Sequence, residues 1–284
     1  MLQIDSSLQS LVTQLSATLQ NKCVLLSPNE FQNREWISAV VCGKNPAQNS
    51  EYRLLQMSGL LHLVVVSGSH LVFIEQILSF VFERFKWRLL AKILVLTAFA
   101  LITGFQPPVV RALCSQLLNH FQNSTKLFWS PPAVTLFAGL ITLMIAPAWW
   151  KSLSLQLSWV AALSLQISPG TQNWSQKIKQ QLHIFVLMFP LLMQFAPPHP
   201  ASILYNLAAA PFLGVVMFPA SAAAMLFPSA LSFVDSMWSW FFKVLDVSVP
   251  RSGSLEPIEL GSLAFIWAYV FALNIFFVMR EQKR

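Results

Sequence analysis

Ser58-Gly59-Leu60-Leu61-His62-Leu63-Val64-Val65-Val66-Ser67-Gly68-Ser69-His70-Leu71-Val72-Phe73-Ile74-Glu75-Gln76-Ile77-Leu78-Ser79-Phe80-Val81-Phe82 is the stretch that decides the fold class. As a helix it is long enough to cross hydrocarbon, which takes roughly 17–25 apolar residues. It also carries Ser67, Gly68, Ser69, His70 and Glu75, and polar groups at that depth are expensive enough to need a reason. Two serines flanking a glycine let a helix kink or unwind, and unwound backbone is tolerated only where protein buries it or water lines it. A broken helix beside a pore is one reading. Close helix packing through Ser and Gly, with His70 satisfied by a neighbour, is the other.

Working outward, comparable runs recur along the chain. We place about nine: 58–82, 89–105, 108–124, 131–147, 153–168, 182–197, 202–227, 231–249 and 261–279. Composition agrees, because 55% of the 284 residues are hydrophobic and only 10% charged, whereas a soluble domain carries about a quarter charged. The expected architecture is all-α, a polytopic transmembrane helical bundle with broken helices. Segment 202–227 adds a second expected break, since Pro211 and Pro219 each remove a backbone donor in mid-span. Discontinuous spans of this kind commonly build membrane transport sites.

Loop charge sets orientation. Arg84, Lys86, Arg88 and Lys92 place the loop Glu83–Lys92 in the cytoplasm, and alternation then brings Lys126, Lys177, Lys179 and the tail Arg280, Lys283, Arg284 to the same side. Lys151, Arg251 and the turn Pro197–Pro200 fall outside, as does the N-terminal region. Two segments are less regular. Segment 231–249 contains Asp235, Lys243 and Asp246, and 89–105 with 108–124 reads either as a crossing pair or as a re-entrant hairpin. Residues 1–53 form a separate periplasmic or interfacial segment before the membrane domain 54–284. Leu8, Leu11, Val12, Leu15 and Leu19 recur at helical spacing, so one or two amphipathic helices are expected on the membrane or against the bundle. No cleavable signal is read in residues 1–22.

Arg111 is the lone charge between Lys92 and Lys126 and follows Pro107-Pro108. It either snorkels to the interface or faces an aqueous cavity, where its guanidinium would suit transient phosphate contact. Ser154 and Ser158 share a helix face at i, i+4, for which polar helix–helix bonding is the favoured reading. The net charge of +7 does not require nucleic acid, since membrane orientation alone concentrates Lys and Arg in loops. Catalytic signatures are missing: no GxSxG, HExxH or Walker A pattern is present, and no acid partners Ser67 and His70. Three cysteines without CxxC spacing argue against a zinc or redox site. Cys23 and Cys42 would share an oxidising compartment, but sequence does not give their distance. Cys114 is expected to stay a reduced, apolar packing residue.

Four stretches together resemble the competence (ComEC-type) family of DNA-uptake channels. They are Ser58-Gly59-Leu60-Leu61-His62-Leu63 running into Ser67-Gly68-Ser69-His70, then Thr103-Gly104-Phe105 with Arg111-Ala112, then Leu155-Gln156-Leu157-Ser158, and lastly Asn206-Leu207 leading to Pro211. Ser69 stands where the family commonly has Leu. The resemblance implies a bacterial inner-membrane channel for single-stranded DNA during natural transformation, fed by a periplasmic DNA receptor and drawn inward by a cytoplasmic ATPase. Membrane lipid, and a second copy of the chain in a homo-oligomer, are the other expected partners. It makes Ser67, Gly68, His70, Gly104, Arg111, Gln156 and Asn206 pore or gate candidates; Glu75 joins them as an acidic group at membrane depth. No enzyme activity, cofactor or metal is expected. Many members carry OB-like and metallo-β-lactamase-like domains, for which residues 1–53 and the tail after 279 leave no room. A channel-only member, leaving strand degradation to another protein, is therefore expected. A small-solute transporter and a non-conducting scaffold are the alternatives.

Overall fold

A computed structural model describes residues 6–27, 31–64, 68–82, 87–166, 173–193, 201–249 and 263–282. The described residues are helical, with no strand among them, so the chain is an all-α protein. Among the described residues, three stretches are long and apolar enough to cross a membrane: Leu61–Val81, Ser202–Leu226 and Leu263–Glu281. Leu89–Ile102, Pro131–Ile145, Leu153–Leu165 and Ile178–Leu192 are shorter apolar helices.

The chain divides into two compact units. One comprises 1–109 and 199–253, the other 110–198 and 254–284. The first unit holds α1 (Ser6–Leu25), α2 (Arg34–Cys42), α3 (Ser50–Ser58), α4 (Leu61–Val64), α5 (Gly68–Val81) and α6 (Arg88–Ile102). The second holds all but the first turn of α7 (Pro107–Thr125), then α8 (Pro131–Ile145), α9 (Leu153–Leu165) and α10 (Trp174–Leu192). The chain returns to the first unit with α11 (Ser202–Pro211), α12 (Phe218–Leu226) and α13 (Leu231–Ser248), and ends in the second with α14 (Leu263–Gln282).

Of the two expected breaks, the one at Ser67 lies outside the described residues. The other takes a different form. Instead of unwinding, Phe212–Met217 between α11 and α12 forms a π-helical turn. Pro211 and Pro219 supply no N–H to the ladder, and a widened turn absorbs that loss while the helical path continues.

Helix α13 buries Leu231, Val234, Trp238, Phe241, Phe242 and Leu245, a helical repeat facing the core of its unit. Trp238 stacks with Trp36 of α2 at 6.5 Å and with Phe242 at 5.7 Å between ring centroids. Its opposite side explains Asp235. The carboxylate accepts the backbone N–H of Asn33 at 2.7 Å, and the Asn33 side chain donates to Ser239 Oγ at 2.8 Å, which fixes the start of α2. Segment 231–249 therefore serves as an amphipathic packing helix, and it is not among the stretches apolar enough to cross a membrane. The polar second half of α7, with Gln116, Asn119, His120, Gln122 and Asn123, keeps that helix off the same roster.

Cys23 of α1 and Cys42 of α2 form a disulfide with Cα atoms 5.8 Å apart, well inside the range that a bridge can span. Cys114 is free and buried. Alkylation in denaturant without reductant should therefore tag one thiol per chain, rising to all three cysteines after reduction. Intact mass spectrometry reads the difference, and three tags before reduction would refute the bridge.

In the second unit, Trp159 and Asn274 are wholly buried. Trp159 Nε1 donates to Asn274 Oδ1 at 2.7 Å, while Asn274 Nδ2 donates to the Pro132 carbonyl at 3.0 Å. That chain of bonds ties α9, α14 and α8 together. The α8 backbone can lie against the Trp159 ring because residue 139 is glycine; a Cβ there would sit 2.2 Å from the ring.

Candidate functional site

The turn that launches α7 is built by close backbone approach. Gly43 closes α2 at φ +69°, a left-handed conformation that favours glycine. A Cβ on it would lie 2.5 Å from the Thr103 carbonyl oxygen. Gln106 Nε2 donates to Gly43 O at 2.6 Å, and Gln20 Nε2 to Cys42 O at 3.0 Å. Gly104 leaves room for that same Gln20, whose amide a Cβ would approach to 2.7 Å. Ser16 Oγ of α1 adds a bond to Leu101 O at 2.8 Å. The Thr103-Gly104-Phe105 motif is thus a seat for the disulfide-linked α1–α2 pair, within the first unit. Gly43→Ala should destabilise by about 2 kcal/mol or more, because left-handed strain and an overpacked contact add. The residue it meets is backbone and cannot swing aside. Gly104, at φ +83°, carries the same left-handed strain, but its Cβ meets only the end of a glutamine, so Gly104→Ala should cost less. Melting of the detergent-solubilised variants orders the two.

Arg111 stands at the start of α7 and is 7% exposed. Its Nε donates to Ser158 Oγ of α9 at 3.0 Å, and Nη1 lies 3.5 Å from Ser115 Oγ. The guanidinium is turned into the second unit, which disagrees with snorkelling. Among the described residues no carboxylate pairs with it; Glu75, in the first unit, pairs with Lys92. A buried charge without a counter-ion is strongly disfavoured unless polar groups or a mobile anion compensate it. Two serine hydroxyls hold and orient this cation without neutralising it. Ser158, read from sequence as a helix–helix contact, is its main partner.

Of the other expected residues, Gly68, His70, Glu75, Gly104 and Asn206 belong to the first unit and Gln156 to the second. Ser67 is outside the described residues, and Gly68 opens α5. The His70 ring packs on Phe218 of α12 at 4.5 Å, and Phe73 and Phe99 meet the same phenyl at 6.1 and 6.2 Å. Glu75 is bonded to Lys92 Nζ at 3.1 Å and to Ser79 Oγ at 2.8 Å, with Lys92 donating to Ser79 at 2.6 Å. Lys92 is accordingly a helix residue paired with a carboxylate, and drops out of the loop charge counted for orientation. Asn206 Nδ2 donates to Ser202 O at 2.8 Å. Gly59 nestles there, its missing Cβ 2.9 Å from Ser202 and 3.6 Å from the Asn206 amide. The first and fourth sequence motifs therefore meet in space. Gln156 is buried in the second unit, and its Nε2 shares the Trp150 carbonyl, at 3.2 Å, with Trp267 Nε1 at 2.7 Å. No cluster of metal-ligating side chains occurs among the described residues. Gly104 seats a turn, Asn206 bonds within α11 beside Gly59, Gln156 holds the Trp150 carbonyl, Glu75 cross-links α5 to α6, and Arg111 is bonded to hydroxyls with no carboxylate partner among the described residues.

A family model described as Competence protein matches residues 43–283. The chain belongs to the Competence protein family. The chain is also 27% identical over 234 residues to a curated protein of Aquifex aeolicus (strain VF5) described as "Uncharacterized protein", covering 79% of this chain and 56% of that one. It thus spans little more than half the length of that relative. No solved structure matches it. Membership in the family associates the chain with competence, and its apolar helices with the membrane.

Proposed function

We propose that this protein is an inner-membrane channel that conducts single-stranded DNA into the cytoplasm during natural transformation. The observation that carries the reading is Arg111, a buried guanidinium held by hydroxyls and paired with no carboxylate among the described residues. Phosphate passing such a group gains charge-assisted bonds. With no carboxylate to compete, the cation stays available to each phosphate in turn, and conduction requires binding weak enough for release. The protein acts as a conduit without catalytic chemistry of its own, supplied by a periplasmic DNA receptor and drawn on by a cytoplasmic ATPase. A small-solute transporter fits less well, because Glu75, its candidate ion-coupling acid, is engaged by Lys92.

In this reading α1 and α2 face the periplasm, where the Cys23–Cys42 disulfide persists in an oxidising compartment, and the C-terminus is cytoplasmic. Alkaline phosphatase fused after Arg284 should be inactive, and a cytoplasm-only fluorophore at the same site should shine. Phosphatase activity there would reverse the orientation. The function itself is tested in a strain lacking the gene, by scoring labelled DNA that reaches the cytoplasm. Import should disappear and return with the full-length gene. Unchanged import would remove the channel reading.

A further inference from the structure

We propose that the polar face of α7, carrying Arg111, Ser115, Asn119 and Gln122, is a water-lined track along which the sugar-phosphate backbone of a single strand moves. This rests on the channel reading and names the surface of the second unit that touches the strand.

Positions 111, 115, 119 and 122 follow the i, i+4, i+8, i+11 repeat of one helix face. Leu118, at i+7, is the apolar member of that face, and the opposite side carries Leu113, Leu117 and Phe121 together with Gln116 and His120. Within a membrane domain, a run of four polar side chains along one side of a helix needs water or protein polar groups to satisfy it. Protein satisfies it only in part. Gln122 Nε2 donates to Asn119 Oδ1 at 3.1 Å, and Gln122 Oε1 accepts from the Trp129 N–H at 3.2 Å. Among the described residues, the Asn119 amide nitrogen and Arg111 Nη2 have no acceptor. Ser115, Asn119 and Gln122 are half-buried, neither packed away nor fully open. The face therefore offers half-buried donors in sequence along its length, with the buried Arg111 cation at its start.

A second observation identifies the ligand's charge. Between Glu83 and Asp235 the sequence contains no Asp or Glu, while Arg111, Lys126, Lys151, Lys177 and Lys179 fall within 110–198. Membrane orientation accounts for basic loops, but gives no reason to exclude acids from a helix side rich in amides and hydroxyls. A polyanion does, because one carboxylate on the track would repel each successive phosphate at short range. Amides and hydroxyls add weak, sequence-tolerant contacts, as suits a path that must pass any strand.

Single cysteines at 115, 119 and 122, and at 113, 117 and 121, in a Cys114→Ala background with the native disulfide intact, test the proposal on the full chain in cells. A sulfonated methanethiosulfonate reagent should modify the first three at least about tenfold faster than the second three. The sulfonate it leaves should cut cytoplasmic import of labelled DNA by about tenfold or more. Asn119→Asp, nearly the same shape, should do so without any reagent and at normal membrane abundance. Equal reactivity of the two sets would overturn the water-lined face. Fast modification at 115, 119 and 122 with import unchanged, or normal import by Asn119→Asp, would overturn the track and leave the channel reading standing. Normal import by the deletion strain would instead bring down the channel reading, whatever the thiol rates.

Discussion

Arg111→Gln should reach the membrane at wild-type abundance and lose most of its DNA import, by roughly ten- to a hundredfold. Charge-assisted bonds contribute about 1.5–3 kcal/mol each, and each 1.36 kcal/mol on a barrier is a factor of ten in rate. Abundance should hold because the variant removes a buried charge that no carboxylate compensates among the described residues, and relieving such a charge does not orphan a partner. Ser158 and Ser115, the two acceptors, can still bond the glutamine amide. Arg111→Lys should fall between, keeping charge while losing the planar fork that spans two oxygens. A purely structural arginine gives the reverse order: abundance falls with Gln, and Lys is near normal. Abundance by immunoblot and import of labelled DNA, measured on the same cells, separate the two. An abundant Arg111→Gln protein importing at the wild-type rate would exclude Arg111 from conduction.

Gly139→Val should be the most damaging single change in the second unit. A Cβ at 139 would come within 2.2 Å of Trp159, and the ring has nowhere to go. Its Nε1 is held by Asn274 at 2.7 Å, and Trp267 and Phe271 pack on it with centroids 5.6 and 5.7 Å away. Either α8 retreats, opening voids along its face, or the indole leaves its bond and orphans Asn274 Oδ1. Overpacking alone costs about 1–3 kcal/mol, and an unsatisfied buried polar group adds a similar amount. We expect the variant to be degraded in cells and to melt well below wild type in detergent. Trimming the ring in the same chain, as Gly139→Val with Trp159→Leu, should recover part of the loss, since contacting residues couple in double-mutant cycles. Strict additivity would show that the steric contact is not the cause.

How much of this was legible beforehand differs by residue. Arg111 stood out because a single charge in a long apolar stretch is costly wherever it lies; sequence left it to snorkel to the interface or face an aqueous cavity, and its bond to Ser158, 47 positions further on, was not legible there. Glu75 looked like a coupling acid until α6 brought Lys92 beside it. The Thr103-Gly104-Phe105 turn read as part of a pore, yet the residues that fill its space are Gln20, Cys42 and Gly43, and no local pattern announces that contact. The polar repeat along α7 was available from spacing alone, and the long acid-free interval from simple inspection. Asn274 is a polar residue in the otherwise apolar run of α14, and that isolation could have marked it as a structural bond-former.

Composition and periodicity by themselves determined an all-α membrane protein, because hydrocarbon-length apolar runs with few charges permit little else. The family motifs were likewise visible as residues in order. Tertiary structure decided which polar groups are spent on one another: Glu75 on Lys92, Asp235 on Asn33, Asn274 on Trp159, Asn206 on Ser202. It also joined Cys23 to Cys42 and, among the described residues, gave Arg111 two hydroxyls as its partners. The physical reason is range. Burial preference is a property of each residue and its near neighbours, whereas satisfaction of a buried charge or donor depends on a partner at hydrogen-bond distance, which chain folding selects from far away in sequence.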